Sequence, residues 1–127
     1  MRVALFAPDR DGALPDELRA EGLEVGALEV GAPAAGATAA LVAGFRDAEG
    51  ALAADLPAAV VVAGEGDEAL AVAITAVKLE VPVVWLAPGE SQGLLAQVAD
   101  RTVDASAGAA AIATAIRESA APTIPAP

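Results

Sequence analysis

The sequence predicts a single three-layer α/β domain around a parallel sheet of about five strands, in the order 2-1-3-4-5. Three observations predict it. Continuous apolar runs at Val3–Ala7, Ala58–Ala63 and Val81–Ala87 fit strands buried on both faces, as parallel sheets require. Helical patterns separate these runs at spacings that suit right-handed crossovers. The 127 residues hold one such domain and leave no room for a second. The strand order reverses between strands one and three. A ligand crevice is therefore expected beside Pro8–Leu14 and Gly64–Asp67.

Each element has a local reason. Pro8, Asp9, Asp11 and Gly12 end the first strand, and Asp16–Glu21 is a short charged helix closing at Gly22, a natural C′ residue. Leu23–Val30 is a second strand with Leu23, Val25, Ala27 and Glu29 on one face; its two Glu and Gly26 suit an edge position. After the loop Gly31–Gly36, Thr38 caps a helix with Leu41, Phe45, Ala48 and Leu52 on one stripe, stopped by Pro57. Asp67 opens the helix after the third strand, with Leu70, Ile74 and Val77 as its apolar stripe, closing near Lys78.

The fourth strand tolerates Pro82 only at its start. Gly89–Gly93 is a turn, Leu94–Ala99 a short helix and Arg101–Ala105 a final strand. Ser106 caps a last helix carrying Ala109, Ile112 and Ile116. The domain spans residues 1–118. The Pro/Ala-rich tail, residues 119–127, is expected to be disordered. The architecture is Rossmann-like or flavodoxin-like.

Composition removes several function classes. The absence of Cys excludes disulfides, thiolate metal sites and cysteine nucleophiles. The absence of His removes the commonest general acid–base group and every Ser-His-Asp arrangement. A net charge of −11, from 18 acids against 7 bases, disfavours nucleic acid and acidic membranes as partners. The core is rich in Ala and has two Phe, one Trp and no Tyr, which predicts modest stability for the size. The apolar run after Arg2 is shorter than the roughly 7–15 residues of a signal peptide's apolar region. No uncharged run approaches the roughly 18–20 residues of a membrane span, so a cytoplasmic location is expected.

The candidate crevice residues are Asp9, Asp11, Gly64, Glu65, Gly66, Asp67, Glu68 and Gly89. Gly64–Ala69, GEGDEA, matches the dinucleotide fingerprint G-x-G-x-x-A in letters. It follows the third strand rather than the first, and three carboxylates occupy the field a pyrophosphate would need. Tight-turn and helix-capping chemistry accounts for it.

Asp9 and Asp11 sit where receiver domains keep acids for Mg²⁺. However, Asp67 lies beyond two glycines, no Ser or Thr ends Val83–Ala87, and Arg101 precedes the fifth strand, so no phosphoacceptor site is read. Glu65, Asp67 and Glu68 are solvated carboxylates at a strand end, and neither a metal nor a cofactor is assigned. Trp85 belongs to core or interface rather than to a stacking platform.

Taken together, LPAAVVVAGEGDEALAVAITAVKLEVPVVWLAPG resembles the N-terminal domain of the non-hydrolysing UDP-N-acetylglucosamine 2-epimerases. Gly66-Asp67-Glu68 stands where that family has G-D-T, Val81-Pro82-Val83 for I-P-V, and Trp85-Leu86-Ala87-Pro88-Gly89 for H-V-E-A-G. Ala99–Ser106 is similar to the family's A-D-x-x-F-A-P-T strand, and the resemblance runs from Leu41 to Glu118.

The departures are specific. Ala7-Pro8-Asp9-Arg10-Asp11 replaces the nucleotide-binding G-T-R-P-E, and Ala87 replaces a Glu implicated in proton transfer. Glu90-Ser91-Gln92-Gly93 replaces the segment with a further Glu and an N-R pair, and these residues hold no counterpart of the second domain of the GT-B fold.

Of the acidic set, Asp67 remains as the catalytic candidate if a second chain completes the site. C2 epimerisation needs an acid–base pair on opposite faces of the sugar and a held leaving group. The resemblance thus implies a degenerate domain that is non-catalytic alone. It would bind UDP-N-acetylglucosamine, a protein partner or a second copy. The alternative is an epimerase component completed in trans. A flavodoxin-like domain sharing only buried parallel strands with that family is the third reading.

Overall fold

The computed structural model describes residues 1–7, 13–29, 37–64, 66–88 and 93–120; of residues 37–40 it describes the helical backbone. The elements alternate as expected: β1 (Arg2–Phe6), α1 (Ala13–Ala20), β2 (Glu24–Ala27), α2 (Ala37–Ala54) and β3 (Ala59–Ala63). Then follow α3 (Asp67–Lys78), β4 (Val83–Ala87), α4 (Leu94–Val98), β5 (Arg101–Asp104) and α5 (Ala109–Ala120). The five strands form one parallel sheet in the order β2-β1-β3-β4-β5.

Burial explains the order. Every residue of β3 and β4 is buried, because both strands are central and covered on both faces. The edge strands β2 and β5 each bury at most one side chain. Alternation sends Val3, Leu5, Val61, Val84 and Leu86 to one face, where Leu14 and Leu18 of α1 and Ile112 and Ile116 of α5 cover them. Phe6, Val60, Val62, Val83 and Trp85 face the other way, beneath α2, α3 and α4.

Two helices end in the same motif with different residues. After α1, Gly22 N–H donates to Arg19 O and Leu23 N–H to Leu18 O, at 3.0 and 3.3 Å. After α3, Glu80 N–H donates to Val77 O and Val81 N–H to Ala76 O, at 3.0 and 2.8 Å. Both pairs are the Schellman pattern, whose C′ residue takes a left-handed φ. Gly22 adopts +91° without steric penalty, whereas Glu80 holds +61° with a side chain.

Several local expectations change. In α3 the residues against the core are Ala69, Val72, Ala73 and Ala76, while Leu70 and Ile74 are half-buried and Val77 is exposed. Small side chains face inward because α3 packs closely between the sheet and α2, and the bulkier stripe is displaced outward. Ser106 does not cap α5. It lies in a turn where its N–H and Oγ–H both donate to Asp104 Oδ1, at 2.8 and 2.6 Å, and the helix starts at Ala109. Similarly, α2 starts at Ala37, ahead of the expected Thr38 cap. α1 starts at Ala13, ahead of Asp16, and α5 runs through Ser119 and Ala120. Residues 121–127, where most of the expected tail falls, lie outside the described residues. Among the described residues no helix is long and apolar enough to cross a membrane.

Candidate functional site

The apolar run of β3 delivers the chain to Gly64, whose φ of +92° turns it out of the sheet plane. Gly66 then takes φ 136° and ψ 174°, a conformation essentially restricted to glycine, and serves as the N-cap of α3 without a side-chain cap bond. The first helical bond runs from Leu70 N–H to Gly66 O at 3.0 Å. Asp67 and Glu68 occupy the first turn, where the helix dipole favours carboxylates.

Trp85 fixes this turn from below. Its indole Nε1–H donates to Gly64 O at 2.8 Å, joining β4 to the end of β3, and the side chain is 1% exposed. The buried indole thereby satisfies its single donor.

A cavity of about 340 Å³ opens between α3 and α4 at the carboxyl edge of the sheet. Gly66, Asp67 and Leu70 form one wall and Trp85 the floor. The start of α4 supplies the other wall through Gly93, Leu94 and Leu95, with Leu94 61% exposed at the rim. Asp67 is the charged residue among these. No group of three or more His, Cys, Asp or Glu that would hold a metal ion occurs among the described residues.

Of the residues singled out in the sequence, Gly66 and Asp67 border the cavity, Gly64 is tied to its floor through Trp85, and Glu68 lies one position along α3 without lining it. Asp9, Asp11, Glu65 and Gly89 lie outside the described residues, as do residues 8–12 of the loop Pro8–Leu14 expected to frame a crevice, whose last two residues, Ala13 and Leu14, belong to α1 instead. Trp85 is core, as expected, yet its ring is also the cavity floor. Leu70, Leu94 and Leu95 were not marked as site residues, and no sequence signal separates them from core leucines.

Ala87 ends β4 on the Trp85 side of the sheet, 3% exposed in the core beneath α3, and does not line the cavity. The described site therefore offers one carboxylate. It can accept hydrogen bonds or pair with a cation, but it holds no opposed acid or base and no cation for a diphosphate.

No protein-family model matches the chain, and no curated protein matches it. Solved structures do. MnaA of S. aureus, solved with UDP, superposes with a TM-score of 0.70 at 14% identity, over 90% of this chain and 40% of that one. The UDP-GlcNAc 2-epimerase of Methanocaldococcus jannaschii gives 0.65 at 15% identity, over 82% of this chain and 39% of that one. The pseudo-receiver domain of CikA gives 0.64 at 14% identity, over 96% of this chain and 98% of that one.

This chain thus spans about two-fifths of the epimerase chain and the whole of the pseudo-receiver domain. At such identities the likeness is one of fold. The resemblance implied by the sequence motifs is present in three dimensions: the chain is similar in fold to part of a UDP-GlcNAc 2-epimerase, and equally to the pseudo-receiver domain of CikA.

Proposed function

We propose that this chain is a degenerate epimerase-like domain that works as a binding or interaction module and is not catalytic alone. The observation that carries the reading is the pairing of Asp67 at the cavity with Ala87 in the core. Where the resemblance requires two carboxylates at neighbouring strand ends, one is retained and the other is a buried methyl group. One carboxylate cannot act on opposite faces of a sugar carbon, and the described residues lining the cavity include no cation to hold a departing diphosphate. The ligand favoured by the resemblance is UDP-N-acetylglucosamine, and the proposed place of work is the cytoplasm.

The test is to incubate the chain with UDP-N-acetylglucosamine and follow the C2 epimer by NMR, with amide shifts of ¹⁵N-labelled protein recorded in parallel. The expected result is no turnover. Saturable shifts at Gly64, Gly66–Glu68 and Leu94–Leu95 support retained nucleotide-sugar binding; no shift at millimolar ligand restricts the module to protein partners. Turnover by the lone chain overturns the reading.

A second reading has one observation in its favour. Since the chain matches 39–41% of the length of the epimerase-like structures, a separate chain would supply the remainder and Asp67 would be its catalytic carboxylate. Turnover that appears only on adding such a chain, and disappears with Asp67→Asn, supports that reading.

A further inference from the structure

We propose that the cavity between α3 and α4 is a socket for a lysine or arginine side chain presented on an apolar segment of a partner protein. This rests on the reading of the chain as a binding module and names its partner. The shape comes first. At about 340 Å³ the cavity lies at the small end of the roughly 300–1,000 Å³ found for ligand sites, ample for one long side chain. Its walls are Leu70, Leu94 and Leu95 over the Trp85 floor, and Leu94 exposes 61% of its surface at the rim. An apolar stem lying on these leucines would cover surface now open to water.

The charge decides the occupant. Asp67 is the charged lining residue and has no hydrogen-bond or ion-pair partner among the described residues. With Glu68 beside it, the first turn of α3 carries two carboxylates against the helix end's roughly half positive charge, so the field there is negative. The chain's own described cations do not reach it. Arg2, Arg19, Arg101 and Arg117 are bonded to oxygens elsewhere, Arg46 is midway along α2 and Lys78 is at the far end of α3. A net charge of −11 steers basic segments toward the molecule from beyond contact range and repels phosphates. Lysine and arginine join an apolar stem to a cationic head, which matches leucine walls and an unpaired carboxylate.

The protein supplies its own probe, since Trp85 is the sole Trp and there is no Tyr. The experiment selects displayed random peptides on the full-length chain. Synthetic, end-blocked versions of the winners are then titrated while Trp85 emission is followed. The expected winners carry Lys or Arg flanked by Leu, Ile or Val and shift Trp85 emission saturably. Asp67→Asn and Leu94→Ala, each checked for folding by circular dichroism, should weaken them about fivefold or more, and added salt should weaken them further.

Failure to select any peptide, winners without a cationic residue, or affinity unchanged in both variants overturns the socket. Cation-free peptides that still shift Trp85 sink the socket and leave the module reading intact. Turnover of UDP-N-acetylglucosamine by the lone chain sinks the module reading itself.

Discussion

At the amino edge of the sheet, Arg2 is bonded to Asp55, Arg101 pairs with Glu118 at 2.7 Å, and Arg117 donates to Glu21 O. Asp100 and Val83 exchange two bonds there, Val83 N–H to Asp100 Oδ2 at 2.7 Å and Asp100 N–H to Val83 O at 2.9 Å. At the carboxyl edge the chain instead places glycines at positive φ, a cavity with leucine walls and a carboxylate with no counter-ion among the described residues. Among the described residues the ion pairs gather where strands begin, whereas Asp67, where β3 ends, has no partner. The difference locates an unpaired carboxylate at the edge where doubly wound sheets bind ligands.

The largest test of that contrast removes the floor of the open edge. Trp85→Ala deletes the biggest fully buried side chain and the bond to Gly64 O, and should cost about 3–5 kcal/mol. Urea unfolding followed by circular dichroism measures it. A cost near that of a surface substitution would show that Trp85 does not hold the β3–α3 turn. Next in size is Gly66→Ala. The added Cβ would sit 3.6 Å from Glu68 Oε2, an ordinary contact, so the expected loss of about 1–3 kcal/mol is backbone strain alone. Loss of cavity binding at unchanged overall stability would instead mean that α3 re-caps itself locally.

Three substitutions probe the amino edge. Glu80→Gly relieves a left-handed φ of 61° in the Schellman motif after α3 and should stabilise by about 0.5–1 kcal/mol. Gly22→Ala should destabilise the matching motif after α1 by a comparable amount. Opposite signs from the same position of the same motif, read as shifts in urea midpoint, would confirm that backbone conformation governs both. Arg101→Gln should cost no more than about 1 kcal/mol, since both partners are half-exposed, and the cost should shrink in high salt. A larger loss would make the amino edge a cooperative network rather than a set of separate bonds.

The sheet was legible because its central strands are unbroken apolar runs, and burial on both faces leaves no other pattern for such runs. Strand order followed from crossover handedness and from the Glu and Gly of β2, which suit an edge. The faces of α3 were not legible. Ala69, Ala73 and Ala76 carry no amphipathic signal against Leu70, Ile74 and Val77, and only the approach of α2 decides which stripe is buried. The site divided along the same line. Gly64, Gly66 and Asp67 could be read because turn chemistry needs those residue types. Leu70, Leu94 and Leu95 could not, because a leucine that lines a cavity and one that fills a core look alike until the helices are placed. Ser106 was misassigned because a hydroxyl two residues after an Asp serves a turn as well as it serves a helix cap.

The smallest effect concerns that turn, which follows β5 at the carboxyl edge. The Ser106 hydroxyl and then its backbone N–H hold the Asp104 carboxyl below the usual aspartate range by hydrogen-bonding its charged form. A depressed folded-state pKa contributes stability that is fully present above the unfolded value of about 3.9. That contribution is lost as pH falls through the folded value. The window therefore lies below pH ~4, and neutral pH should show no change. Ser106→Ala removes the hydroxyl bond and leaves the backbone bond, so the Asp104 carboxyl should titrate closer to the ordinary value while remaining depressed. Side-chain carboxyl NMR across acid pH reads this directly. An unchanged titration would place the stabilisation on the backbone bond. The Ser106 hydroxyl would then contribute nothing to holding the carboxylate, and the turn after β5 would rest on its backbone N–H alone.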